Sequence, residues 1–477
     1  MSMFRKKTKI VATMGPATHT REIIAEMMTQ GVNVFRINFS HADFETVRVC
    51  VKTIHEINAE RGYNVAVLAD LQGPKLRIGA VEDGVFVKSG DEISFTNKEK
   101  VGTRREVYMT YTRFPLDVNP GEIILLDDGK LVMEVLDTNR IDVVKARIVQ
   151  GGPLKGRKGV NLPETKILLP ALTEKDKRDA IFAAQIGVDW MALSFVRTPE
   201  DLMALRALLD EHADYRIPII AKVEKPEAVK NIDGILPHAD GLMVARGDLG
   251  VEMPLEEVPL VQKMLVRKAK VARKPIIIAT QMMEGMMDSL TPTRAEVNDV
   301  ANSVMDGTDA VMLSGETAVG KYPVAVVKSM VGIIKRVEDS RLISRPDHKP
   351  DPAEKSRYIT NVVCYDAAQM AVEIHAQAIV TLTHSGYTAF QLSSHRPFCH
   401  TLAFTDNRNI LRMLNLLWGV YAFYYDKWHT TDKTIREVNQ IAVKKGIVEK
   451  GGYILNLSAM PVRNKGMVNT IRITEMD

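Results

Sequence analysis

Eight short apolar runs constrain this chain more than any other feature, because each is followed by a stretch with helical periodicity. They are residues 9–14, 34–39, 65–71, 190–196, 218–223, 241–245, 275–280 and 310–314. Strands alternating with helices imply a parallel sheet with helices outside it, and eight is the number that closes a barrel. The intervening patterns fit. Ile23, Ile24, Met27 and Met28 share one helical face and stop at Gly31, and Val47, Val51 and Ile54 share another. Thr198-Pro199-Glu200-Asp201 opens a helix with a cap, a proline and acids. Thr293 and Glu296 form a capping box, ahead of an expected buried stripe of Val297, Val300 and Val304.

The rhythm breaks at Gly73-Pro74 and resumes near Ala171. The text between is strand and turn, with a hairpin over 122–135 around Asp127-Asp128-Gly129-Lys130. It reads as a small β domain inserted in the loop after the third strand, where an insertion spares the core. The proline-rich, charged segment 343–356 reads as a linker. A separate α/β stretch follows. The expected division is therefore barrel 1–73, inserted β lid 74–170, barrel 171–345 and C-terminal α/β domain 346–477. No short internal repeat is visible.

Bulk properties exclude several classes. Net charge is +4 over 477 residues with no run of five or six like charges, which argues against a nucleic-acid partner and suits an anionic substrate. No run approaches a membrane span. The basic N-terminus leads into an apolar stretch broken at Gly15-Pro16, too short for a secretory signal. Cys50, Cys364 and Cys399 offer neither a disulfide framework nor a metal knuckle, so a reduced, cytoplasmic protein is expected. The methionine-rich 281–288 reads as adaptable packing.

Charge is concentrated where the strands end. The second run delivers Arg36, Asn38, Ser40 and His41, and the third Asp70, then Lys75 and Arg77. The fifth delivers Lys222 and Glu224, the sixth Arg246, Gly247 and Asp248, the seventh Thr280, and the eighth Ser314 and Glu316. Arg294 and Glu296 follow from the helix opening near Thr293. Any one of these is an ordinary solvated strand end. Together they converge on the face of a barrel where active sites lie. Glu224 and Asp248 suit a hard divalent cation that keeps positions for substrate oxygens. Arg36, Arg77 and Lys222 suit phosphoryl oxygens. The set fits phosphoryl transfer, which needs charge neutralisation and positioning more than a covalent nucleophile. Thr280 is a candidate for handling a proton. Residues 315–322, GETAVGKY, fall short of a nucleotide P-loop, because Tyr322 stands where a short hydroxyl is required.

The segments VATMGPAT, VFRINFSH, ADLQGPKLRIG, KGVNLP, AKVEKPEAV, MVARGDLGVE, ATQMMEGM and PTRAEVNDVANSVMDGTDAVMLSGETAVGKYP resemble, in order and spacing, the pyruvate kinase family. The likeness is strong over about 5–345 and holds in outline beyond. It implies a (β/α)8 barrel with a mobile β lid and a C-terminal regulatory domain. It also implies transfer from phosphoenolpyruvate to ADP, giving pyruvate and ATP, with magnesium or manganese. By the same resemblance Lys222 stabilises the moving phosphoryl group, and Glu224 and Asp248 hold the metal. Arg36 binds phosphoryl, Gly247 and Thr280 contact substrate, and Ser314 and Glu316 relay a proton. Asn38, Phe39, Ser40, His41, Arg77 and Lys158 contact nucleotide, while Asn38, Ser40, Asp70 and Leu71 outline a monovalent-cation pocket.

One departure is informative. Potassium-dependent members carry a glutamate where this chain has Lys75, and threonine-lysine where it has Leu71-Gln72. A lysine ammonium there replaces the charge that potassium brings, so potassium independence is expected. Residues 381–388, TLTHSGYT, resemble the family's effector-phosphate loop, with Thr383, His384, Ser385, Gly386 and Thr388 as its ligands. The later PVRNKGMVNT (461–470) lacks the usual threonine pair, which leaves the effector's identity open. Family members are usually homotetramers. Two rival readings are a magnesium-dependent 2-oxo acid lyase or aldolase on the same barrel, and a non-catalytic sugar-phosphate sensor.

Overall fold

Continuous apolar runs need cover on both faces, and here they get it from helices outside and packed side chains inside. The computed structural model describes residues 6–40, 42–167, 169–345, 348–353, 355–427, 429–460 and 467–476. Strands Lys9–Thr13, Val34–Asn38, Ala66–Asp70, Trp190–Leu193, Ile219–Val223, Gly241–Ala245, Ile276–Ala279 and Ala310–Leu313 close into a parallel barrel in chain order. We number them barrel strands 1 to 8. Val11, Val34, Leu68, Trp190, Ile220, Met243, Ile277 and Met312 fill the interior. The opposite strand faces pack on helices such as Arg21–Gln30 and Phe44–Arg61 through Ile24, Met27, Val47, Val51 and Ile54.

Three readings change. Strand 4 stops at Leu193, because Ser194 turns its hydroxyl back onto the Leu71 carbonyl at 2.7 Å and Phe195 adopts a positive φ of 55°. Val297 is partly exposed, and the helix Arg294–Met305 buries Val300, Ser303 and Val304 instead. A short repeat does exist. The residue before each even strand caps a backbone N–H at the start of the odd strand before it. Asn33 accepts from Ile10 at 3.1 Å, Asp189 from Val67 at 2.8 Å, Asp240 from Ile219 at 2.9 Å and Asp309 from Ile276 at 3.1 Å. A buried backbone donor at the strand base needs such an acceptor.

After strand 3 the chain forms a six-stranded sheet and a two-stranded ribbon with their own core, including Ile93, Phe95, Phe114, Leu126, Met133 and Val144. The expected hairpin is present, Ile123–Leu126 pairing antiparallel with Leu131–Thr138. The C-terminal region is a five-stranded sheet. Ala378–Leu382, His400–Thr405, Val420–Tyr424 and Tyr453–Ser458 run parallel, and Thr470–Glu475 is antiparallel at one edge.

This C-terminal region docks on the barrel base through the same capping residues. Arg396, almost fully buried, donates to Asp309 at 2.7 Å, and the Trp418 backbone N–H donates to its other oxygen at 3.1 Å. Arg412 donates to Asp189 at 2.8 Å, and Asn415 donates to the Asn33 carbonyl at 3.1 Å. The Trp190 indole N–H reaches the Met413 carbonyl at 3.0 Å. Among the described residues no helix is long and apolar enough to cross a membrane.

Candidate active site

The opposite end of the barrel gathers charge in a different way. Lys222, the fourth residue of strand 5, points inward and is buried. Its ammonium donates to Ser194 Oγ at 2.6 Å and lies 2.9 Å from Glu224 and 3.1 Å from Asp70. Arg36, from strand 2, holds the other Asp70 oxygen through Nε at 2.6 Å and donates to the Thr13 hydroxyl at 3.0 Å. Burial pulls the Lys222 pKa down, but Asp70 and Glu224 outweigh it and raise the pKa, so the lysine stays cationic. Burial works in the opposite sense on Asp70, and Lys222 and Arg36 overcome it to keep that carboxylate ionised.

Glu224 follows strand 5 and is buried. One oxygen faces Lys222, and the other accepts the Phe195 N–H at 2.7 Å. Asp248 lies in the first turn of the helix Arg246–Glu252 that follows strand 6. Its carboxylate makes no hydrogen bond or ion pair with another described residue. Burial raises the Glu224 pKa, Lys222 opposes this, and the negative charge of Asp248 adds to the rise. Of these two carboxylates only Glu224 is paired with a cation among the described residues. Among the described residues no cluster of three or more acidic, histidine or cysteine side chains is arranged for a metal. Two carboxylates suit a magnesium-type ion, which completes its shell with water and substrate oxygens.

Thr280 ends strand 7 with φ of 68°, a conformation strained for a β-branched residue. Two contacts hold it there. Its hydroxyl donates to the Ala279 carbonyl at 2.6 Å and accepts the Gly247 N–H at 2.7 Å. Arg246 buttresses the turn from behind, donating to the Thr280 carbonyl at 2.9 Å and gripping Asp299 with both terminal nitrogens. Glu316 is buried, with its two oxygens accepting from the N–H groups of Met283 and Ser314 at 3.0 and 2.6 Å. The buried Ser314 Oγ has no partner.

The family model described as the pyruvate kinase barrel domain matches residues 5–327, and that of the pyruvate kinase alpha/beta domain matches 361–474. This chain belongs to the pyruvate kinase family. Pyruvate kinase from Bacillus licheniformis is 42% identical over 474 residues, covering 98% of this chain and 80% of that protein. The Corynebacterium glutamicum pyruvate kinase is 42% identical over 473 residues, covering 98% and 97%. The crystal structure of a pyruvate kinase from Cryptosporidium parvum superposes with a TM-score of 0.91 at 31% identity, covering all of this chain and 97% of that one. Membership makes the chain an enzyme, a phosphotransferase of the phosphoenolpyruvate–ADP type.

Within a pyruvate kinase fold the remaining expected residues divide into groups. Asn38, Phe39 and Ser40 lie together at the end of strand 2, where Asn38 accepts the Ser40 N–H at 3.1 Å and Phe39 is buried against Phe44 and Phe182. His41 lies outside the described residues. Arg77 and Lys158 share a seam of the inserted unit, since Arg77 bridges Gly159 through the backbone. There Arg77 donates to the Arg157 carbonyl and Lys158 pairs with Asp127 at 2.9 Å. Leu71 is buried, and Lys75 is exposed at a small cavity shared with Asp248 and Glu252. In the P-loop-like stretch Gly315–Ala318 is helical and the exposed Lys321 pairs with Asp288 at 2.8 Å.

The effector-like loop uses most of its hydroxyls on itself. Thr388 is buried against Thr381 at 2.7 Å, Thr383 accepts the Gly386 N–H at 3.0 Å, and His384 pairs with Asp406 at 2.8 Å. Gly386 takes φ of 83° to start the next helix. Ser385 reaches a cavity of about 740 Å³ beside Arg216, Lys274 and Arg357.

Sequence reasoning missed Ser194, Thr13 and Phe195, whose backbone and hydroxyl groups fix Lys222, Arg36 and Glu224. It assigned Asp70 to a cation pocket without foreseeing its pairing with Lys222 and Arg36. The signal was available, because a buried acid on strand 3 must meet a cation from a neighbouring strand.

Proposed function

We propose that this rim transfers the phosphoryl group of phosphoenolpyruvate to ADP, with the inserted β unit as a lid over the nucleotide. The supporting observation is the Arg36–Asp70–Lys222–Glu224 chain of charges, which ends within reach of the charge of Asp248, a carboxylate without a partner among the described residues. Lys222 and Arg36 present fixed positive charge to phosphoryl oxygens without reorganising. Asp70, bound to both, sets their spacing. Glu224 and Asp248 hold magnesium or manganese, which supplies Lewis-acid polarisation of substrate oxygens. Thr280, anchored by the Gly247 N–H, lies where a hydroxyl can pass a proton toward the enolate carbon, with Ser314 as the next hydroxyl and Glu316 shaping its loop. Asn38, Phe39, Ser40, Arg77 and Lys158 line the path to the nucleotide.

The same reading assigns the division at 73/74, 170/171 and 345/346, a cytoplasmic place in glycolysis and a homotetramer. It also assigns control by a phosphorylated effector at the cavity that Ser385 shares with Arg216, Lys274 and Arg357. Potassium independence belongs here too. Asp70, the anion of the monovalent-cation pocket, already carries two internal cations, and Lys75 adds an ammonium nearby in sequence. A lyase needs no ADP, and a sensor needs no intact Lys222, Glu224, Asp248 and Thr280 set. The test is pyruvate release from phosphoenolpyruvate as ADP, magnesium and potassium are varied. Release that requires ADP and magnesium and proceeds without potassium is expected. Release without ADP overturns the reading, and release only on adding potassium removes the role given to Lys75.

A further inference from the structure

Glu252 closes the short helix that begins Arg246-Gly247-Asp248, four residues beyond Asp248. It is 3% exposed. One oxygen, Oε1, receives two donors. The ammonium of Lys225, itself buried and next in sequence to Glu224, lies at 2.6 Å. The Asn161 side-chain amide donates at 2.7 Å. Asn161 belongs to the inserted unit. Its strand, Val160–Asn161, pairs with Leu125 and Leu126, and it follows Lys158 and the Gly159 that bridges Arg77. The other oxygen, Oε2, is buried without a hydrogen-bond partner. Glu252 also lines a cavity of about 30 Å³ whose wall includes Lys75, Asn161, Lys225 and Asp248.

One carboxylate thus ties three segments that the reaction must coordinate. These are the residue after Glu224, the helix that carries Asp248, and the strand that follows the lid's cationic seam. A buried charge in such a position is costly unless the contacts are kept. Its partners therefore resist being pulled apart one at a time. A lid displacement that shifts Asn161 has to move the Asp248 helix or break the bond. Neither Lys225 nor Glu252 is needed to hold the barrel closed, since both stand beyond the strand ends.

We infer that Glu252 is a positioning residue that couples the lid to the divalent-ion pair, holding Asp248 in register with Glu224 according to where the lid lies. The inference rests on the proposed role of Glu224 and Asp248 as metal ligands. Residues that orient metal ligands change metal affinity by about 10- to 100-fold when lost, and this fixes what to measure.

The probe is Mn2+, its binding to the full-length protein followed by electron paramagnetic resonance with and without ADP, beside KM for ADP, kcat and the thermal midpoint. In the unaltered protein ADP is expected to tighten Mn2+ binding. Glu252→Ala should weaken Mn2+ binding about tenfold or more and abolish the tightening by ADP. Glu252→Gln, which keeps an oxygen for Asn161, should restore part of both. Asn161→Ala keeps the Lys225–Glu252 pair. It should leave Mn2+ affinity without ADP near native, raise KM for ADP more than it lowers kcat, and lose the ADP effect. Glu252→Ala and Asn161→Ala that both retain native Mn2+ affinity and the native ADP effect overturn the inference alone. If Glu252→Ala does not fold, Asn161→Ala decides. Unaltered protein that binds no Mn2+ overturns the reading of Glu224 and Asp248 as well.

Discussion

The two ends of one barrel handle buried charge in opposite ways. At the base, Asp189, Asp240 and Asp309 each satisfy a strand N–H and at least one arginine. At the rim, Asp248 has no partner among the described residues, one oxygen of Glu252 and the hydroxyl of Ser314 are buried without one there, and Thr280 holds a strained φ. Both ends use acids at strand termini. The base acids are all paired within the chain, and two of them, Asp189 and Asp309, join the C-terminal region to the barrel. The rim leaves Asp248 unpaired among the described residues, and such a carboxylate is open to a cation from outside. The difference locates the chemistry more sharply than the presence of charge does.

The comparison can be broken first at Asp248. Asp248→Asn removes one of two neighbouring like charges and no internal contact. We expect turnover to fall about a thousandfold, the scale of losing one preorganised charge-stabilising group, with the thermal midpoint unchanged or raised. Steady-state rates beside thermal unfolding check this. A fall in activity matched by a fall in stability would make Asp248 a structural residue like those of the base.

The reverse result is expected below. Arg396→Met leaves Asp309 buried and short of its cation. Breaking a buried pair on one side costs about 3–5 kcal/mol, readable in urea unfolding, while kcat per folded molecule stays near native. A variant that keeps its stability but loses turnover would move the catalytic influence to the base.

How much of this arrangement was legible beforehand depends on the periodicity involved. Parallel strands covered on both faces are continuous apolar runs, so all eight were visible, and the hairpin at Asp127–Lys130 announced itself through its turn residues. Charges at the strand ends were equally plain. Their pairing was not, because Asp70, Ser194 and Lys222 come from the ends of three neighbouring strands and meet only once those strands pair in register. The base network was written in the chain as a polar residue before each even strand, in Asn33-Val34, Asp189-Trp190, Asp240-Gly241 and Asp309-Ala310. It went unread because a lone acid ahead of a strand has the look of a solvated turn. Val297 was misassigned for a related reason: periodicity marks a face but not where its edge meets solvent.

A smaller effect sharpens the base half of the comparison. Burial raises the Asp189 carboxyl to about 6 against the partial opposition of Arg412. The folded state therefore binds this proton more readily than the unfolded chain between the ordinary aspartate range and about pH 6. Stability contributed by Asp189 is greatest below that window and declines as pH rises through it. The penalty of Asp189→Asn, read from urea midpoints, should accordingly shrink between pH 4 and pH 7. A penalty that grows over that range would mean that the pairing with Arg412 outweighs burial.

Lys222 places a single ammonium among Asp70, Glu224 and Ser194, and the chemistry proposed for the rim depends on it. The most direct measurement is ADP-dependent pyruvate formation by Lys222→Met, taken beside its affinity for phosphoenolpyruvate and its thermal midpoint. The account predicts a folded protein that binds phosphoenolpyruvate and forms no detectable pyruvate. Near-native turnover by that variant would contradict it.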